Sequence, residues 1–162
     1  MNTFKELSFN LFFLLLLAFA GTQVHAQVTS QMMTMSQGNH EALVLELPGA
    51  EDKMVEKLWT DFTKDQYKAK TKRDRKSKEY QTLNIDIPGV SRGGKVDMYT
   101  KVNERGNGSE LMVWIGSNDG WINPSTLPDL YEEEEKKLMR FALEVSQKQI
   151  KISRKIRSFT QR

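Results

Sequence analysis

The spacing of apolar residues changes several times along the chain, and each change marks an element. Residues 42–47 (ALVLEL) form a short apolar run closed by Pro48-Gly49, which predicts a strand. Met54, Val55, Leu58, Trp59 and Phe62 then recur at i, i+1, i+4, i+5 and i+8. That spacing puts one apolar stripe on a helix over 51–66, with Glu51 and Asp52 in the first turn, where the helix dipole favours anions. Three stretches with a period of two follow. Residues 82–87 set Leu83, Ile85 and Ile87 on one face and end in Pro88-Gly89. Residues 95–102 set Val96, Met98, Thr100 and Val102 against Asp97, Tyr99 and Lys101. Residues 110–115 set Leu111, Val113 and Ile115 against Met112 and Trp114. Residues 103–109, with Gly106 and Asn107-Gly108, read as the hairpin loop between the last two. A loop rich in Gly, Asn, Asp and Pro spans 116–128. From Asp129 a long helix runs on, its buried stripe marked by Leu138, Phe141, Ala142 and Val145.

The predicted order is strand, helix, strand, strand, strand, helix. Strands with one apolar face call for one covering layer. The expected class is therefore α+β: a two-layer sandwich, with a mostly antiparallel four-stranded sheet and two helices on one face. Residues 27–40 are polar and Met-rich without a clear period, so they read as a flexible lead-in. If Leu83, Ile85, Val96, Met98, Leu111 and Val113 face the helices, then Val44, Tyr99, Met112 and Trp114 face away from them.

An unbroken apolar run, LFFLLLLAFA at 11–20, precedes all of this. Lys5 lies ahead of it, and Val24-x-Ala26 after it fits the small-residue cleavage rule. Together they make a secretory signal peptide over 1–26, with Gln27 as the new N-terminus. The run is short of the roughly 20 residues that span a bilayer, so no transmembrane span is expected in the mature chain. About 136 residues remain, enough for one domain with its own core at 41–147 and a basic helical tail at 148–162. The mature chain keeps the formal net charge of +3. Cysteine is absent, which excludes disulfides, thiolate metal sites, a Cys nucleophile and the lipidated Cys of envelope lipoproteins. The expected location is periplasmic or secreted.

Candidate chemistry is sparse. The mature chain has one histidine, His40, in the polar stretch ahead of the first strand, and it reads as a solvated side chain. The carboxylates of Glu132, Glu133, Glu134 and Glu135 point around most of a helical cylinder and do not converge. With Lys136 and Lys137 they read as a solvated first turn with i,i+4 ion pairs. The pattern shows no phosphate-binding glycine loop, no Gly-x-Ser-x-Gly elbow and no Ser/His/Asp set. No cofactor or metal is called for. A non-catalytic protein is the reading that results.

Two features suit recognition. One is the basic segment carrying Lys68, Lys70, Lys72, Arg73, Arg75, Lys76 and Lys78. In a cytoplasmic protein it would suggest nucleic acid. Export turns it towards anionic envelope partners such as lipid head groups, lipopolysaccharide or acidic glycans. Its plainer reading is a solvated connection. The other is the outward sheet face of Val44, Tyr99, Met112 and Trp114, a candidate surface for an envelope protein, with cross-strand packing as the plainer reading. Two alternatives stand beside these. One is a small ligand-binding protein or hydrolase with a pocket near the 116–128 loop. The other is a peripheral binder of anionic membrane, in which Ile152, Ile156 and Phe159 of the tail lie amid Lys151, Arg154, Lys155 and Arg157. Nothing in the pattern sets an oligomeric state.

The stretches LVLELPG, KLWTDF, GGKVDMYTKV and LMRFALEVSQKQI resemble an uncharacterised group of exported proteins from Bacteroidetes-type bacteria. The segment order is similar to that of domains of unknown function with a TATA-box-binding-protein-like fold. The resemblance implies export and an α+β sandwich; it brings no activity and no catalytic residues.

Overall fold

A computed structural model describes residues 26–160, so the expected signal peptide lies outside the described residues except for Ala26. Strands β1 (Val28–Met35) and β2 (Gly38–Leu47) form an antiparallel hairpin, and helix α1 (Asp52–Tyr67) follows. Next come β3 (Lys72–Arg73), β4 (Tyr80–Ile85), β5 (Val96–Arg105), β6 (Gly108–Ser117) and β7 (Gly120–Trp121). Helix α2 (Pro128–Thr160) completes the order. The sheet runs β1-β2-β6-β5-β4-β3 with β7 paired to the end of β6, and every pairing is antiparallel.

Among the described residues the fold is α+β with an antiparallel sheet and two helices, as the patterning implied. The sheet has seven strands, however, not four, and the first two strands precede α1. The polar segment expected as a lead-in is β1. As an edge strand it needs only the backbone ladder to β2, and its Val, Thr and Met side chains suit a half-buried pleat without a long apolar run. The short β3 and β7 each hold two residues, below the length at which alternation can be read.

The main core lies between one sheet face and the helices. Leu43, Leu45 and Leu47 of β2, Val96 and Met98 of β5, and Leu111, Val113 and Ile115 of β6 pack against Val55, Trp59 and Phe62 of α1 and Leu138, Phe141 and Val145 of α2. Trp59, Phe62 and Phe141 form an aromatic cluster with ring centroids 5.1–5.5 Å apart. The buried Trp59 indole N–H donates to Thr100 Oγ1 at 2.9 Å, which satisfies the one polar group its burial brings in.

Two local expectations change for physical reasons. Leu83 is exposed at 49 %, while Thr82 and Ile85 are buried. A register irregularity between Thr82 and Ile85, with Asn84 in the left-handed region at φ 56°, inserts a residue and breaks the strict alternation. The hairpin loop contracts to Gly106-Asn107, with Gly106 at φ 57° and Arg105 paired to Gly108. Gly108 belongs to β6, where a Cβ would run into the Leu47 carbonyl and come 2.6 Å from the Gly49 nitrogen.

Glu134 also departs from the expected solvated run. It is fully buried, four residues before Leu138 on the same stripe. Among the described residues neither carboxylate oxygen has a hydrogen-bond partner, and Lys137 Nζ stands 3.8 Å from Oε2. Glu132 and Glu133 do pair with Lys136, at 3.1 and 3.0 Å. Burial pushes the Glu134 carboxyl up to about 7, against an opposing pull from Lys137. The Tyr67 hydroxyl, also buried without a partner, is raised first by burial and then by the Glu134 charge.

A carboxyl raised in the folded state holds its proton longer than in the unfolded chain, so the stability that this group contributes is greatest below the unfolded value of 4.5 and is lost as pH rises to about 7. Glu134→Gln is expected to flatten that loss and to stabilise the protein at pH 8 by about 3 kcal/mol at most. Urea unfolding of both proteins at pH 4, 6 and 8 measures it.

Candidate binding surfaces

The sheet face turned away from the helices is covered. Val44, Tyr99, Met112 and Trp114 are exposed by 0, 9, 1 and 0 %, and with Met35 and Ala42 they form a second, smaller core. They therefore do not make the open partner surface that alternation implied. Two features bury them. In the sheet order β2, β6 and β5 separate β1 from β4, yet the Ser36 N–H just after β1 donates to Glu79 Oε1, just before β4, at 2.8 Å. The sheet is thus curled tightly enough to bring its first strand's end to its far side. The other cover is β7, which folds Trp121 against the second core.

His40 takes part in this closure rather than lying solvated in a lead-in. Its ring stacks on Trp121 with centroids 4.2 Å apart, and its carbonyl accepts the Trp114 indole N–H at 3.3 Å. Gly116 lies close to the Trp121 ring, where a Cβ would sit 3.5 Å from the indole. Tyr131, like Trp121, serves as packing; it lies against the main core.

A cleft of about 460 Å³ opens beside the second core, lined in part by Gln37, Lys95, Asp97, Tyr99, Asn118 and Trp121. It adjoins the start of the 116–128 loop, where a pocket was the alternative expectation. The β1–β2 turn contributes Gln37, and the Glu79 bond described above holds that turn in place. The irregularity in β4 brings the Asn84 N–H to Asp97 Oδ1 at 2.8 Å. The Tyr99 hydroxyl is raised by burial first, then by the charges of Asp97 and Glu79. His40 stacks on the Trp121 ring, and the polar lining of the cleft offers charge and hydrogen bonds. Among the described residues, no three His, Asp or Glu side chains are placed to hold a metal ion.

The basic segment is ordered. Lys68 ends α1 in the left-handed region at φ 51°. Lys72 and Arg73 form β3 at the sheet edge, and the turn beyond it is tied by Asp74. Asp74 Oδ1 accepts the N–H groups of Lys76 and Ser77 at 2.9 and 2.8 Å and the Ser77 hydroxyl at 3.0 Å. Those bonds, led by the two from Ser77, hold its carboxyl below the usual range. Lys68, Lys70, Lys72, Arg73, Arg75, Lys76 and Lys78 are all exposed. Arg73 is engaged, 3.4 Å from Glu56 and over the Tyr80 ring at 5.4 Å. Cations here also blunt an open edge against strand pairing.

The C-terminal tail continues α2 without a break. Gln149 Nε2 donates to the Pro48 carbonyl at 3.1 Å, and beyond it residues 150–160 are exposed. Among the described residues no helix is long and apolar enough to cross a membrane.

No family model, curated protein or solved structure matches this chain.

Trp121 supplies one part of the cover over the second core. Trp121→Ala is expected to cost about 2 kcal/mol, because it removes the His40 stack and opens Tyr99 and Trp114 to water. Urea unfolding gives the loss, and increased binding of an apolar-surface dye gives the exposure.

Proposed function

We propose that this chain is an exported, non-catalytic envelope protein that binds an anionic macromolecule or surface through its 68–78 edge. One observation carries the reading. Seven cations ride on a backbone fixed by β3 and the Asp74 turn, and six of them form no ion pair among the described residues. A cationic surface held in one geometry presents its charges together, whereas a floppy connection would spread them over many conformations. The signal-peptide pattern supports an envelope partner over nucleic acid. The curled sheet supports the basic edge over the second face, since that face is occupied by its own core.

The cleft favours a second reading, as a site for a small polar ligand. Its lining supplies one ammonium, one carboxylate and several amides, and the volume is in the range of small-molecule sites. The test follows the Trp121 indole N–H by NMR while single L-amino acids are added one at a time. Saturable shifts that Asp97→Asn removes support this reading, and no shift at 10 mM ligand, on the order of a very weak site, rules it out.

The principal test uses exported protein, whose N-terminus is expected at Gln27 by mass spectrometry. A variant combining Lys70→Gln, Lys72→Gln, Arg75→Gln and Lys76→Gln leaves Arg73 and its contacts in place. These exposed changes are expected to alter stability by no more than about 0.5 kcal/mol. On immobilised heparin, a probe for acidic glycans, the variant is expected to elute at clearly lower salt. Equal elution of the two proteins overturns the assignment of this edge.

A further inference from the structure

Helix α2 is longer than the body it packs on. Its 33 residues extend about 50 Å at 1.5 Å per residue. Glu134, Leu138, Phe141 and Val145 lie on its buried stripe. Ile152, Ile156 and Phe159 continue that stripe at 7, 11 and 14 residues beyond Val145, but they are exposed by 40, 61 and 65 %. The covering body ends near Gln149, whose amide reaches Pro48. Past that point the apolar side of the helix has no partner among the described residues.

The charge along the same stretch is one-sided. Residues 145–162 contain six Lys and Arg and no acidic residue. At 100° per residue Lys148, Lys151, Arg154 and Lys155 share one arc, which adjoins the arc of Ile152, Ile156 and Phe159. None of these four cations is in an ion pair among the described residues.

We infer that residues 148–160 are an amphipathic anchor that lies along an anionic lipid bilayer, with Ile152, Ile156 and Phe159 entering the head-group boundary and the cations held by lipid head groups. This inference shares the anionic partner of the preceding proposal but uses a different surface. Two properties of the tail select the occupant. A second copy of the helix packed along the stripe would bring cationic arcs together with no carboxylate between them. A purely polar anion would leave the apolar stripe in water. An anionic bilayer meets both needs, since it offers acyl chains and negative head groups within one helix width.

The test is co-sedimentation of the full exported chain with vesicles of phosphatidylcholine alone and of phosphatidylcholine with 30 % phosphatidylglycerol, roughly the anionic content that attracts basic helices. Binding is expected on the anionic vesicles. It is expected to fall at least about tenfold between 0.1 M and 0.5 M salt, as the screening length contracts. One variant carries Ile152→Ser, Ile156→Ser and Phe159→Ser, and another carries Lys148→Gln, Lys151→Gln, Arg154→Gln and Lys155→Gln. Each is expected to lose at least about tenfold in affinity with a nearly unchanged urea midpoint, because these side chains are exposed. The 70/72/75/76 variant is expected to bind the vesicles within about twofold of the parent.

No binding to anionic vesicles, equal binding to neutral ones, or full binding by both tail variants overturns the inference. So does a dimer in sedimentation equilibrium that the Ile152/Ile156/Phe159 variant abolishes, which would assign the stripe to a second copy. Vesicle binding lost only in the 70/72/75/76 variant overturns the tail while leaving the edge proposal standing.

Discussion

An antiparallel sheet with apolar residues on both faces must cover both, and the described residues supply only two helices to do it. Both helices go to one face, where Trp59, Phe62 and Phe141 fill the space between the layers. The other face is covered by the sheet itself. Curling brings the turn after β1 to Glu79 at the start of β4, and β7 lays Trp121 over the interior that results. The rest of the architecture follows from that closure. It consumes the aromatic face that would otherwise have been a partner surface, and it leaves a polar cleft along its rim.

The closure also explains where polar groups are held at a cost. Glu79 is 2 % exposed, with one oxygen bonded to Ser36 and the other without a partner among the described residues. A buried carboxylate is expensive unless hydrogen-bonded, so Glu79 represents a local sacrifice that fixes the β1–β2 turn. Glu134 has no such compensation, and its proton affinity rises accordingly. One acid thus organises a turn. The other makes the helix–sheet interface sensitive to pH.

With both sheet faces occupied, the candidate partner surfaces among the described residues include the cationic edge at 68–78, the cleft and the exposed last third of α2. They differ in kind. The edge is charged and rigid, the cleft is mixed in charge and small, and the tail joins cations to an unpartnered apolar stripe.

Much of this protein was legible in its residues. The helix stripes from Met54 to Phe62 and from Leu138 to Val145, and the alternation in β5 and β6, are periodicities of the chain itself, set by backbone geometry. So is the amphipathic character of the tail. Other features left a readable trace that was weaker: Glu134 sits one turn before Leu138 on the buried stripe, so its burial follows from helical spacing once the stripe is traced back. β1 left almost none, because an edge strand is held by a neighbour's backbone and not by its own apolar content. The inserted residue at Asn84, the curl of the sheet and the burial of Tyr99 and Trp114 belong to the tertiary structure alone. Alternation says which residues share a face. Which faces meet water depends on contacts between segments far apart in the chain, such as Ser36 with Glu79 and His40 with Trp121, and no local pattern encodes those.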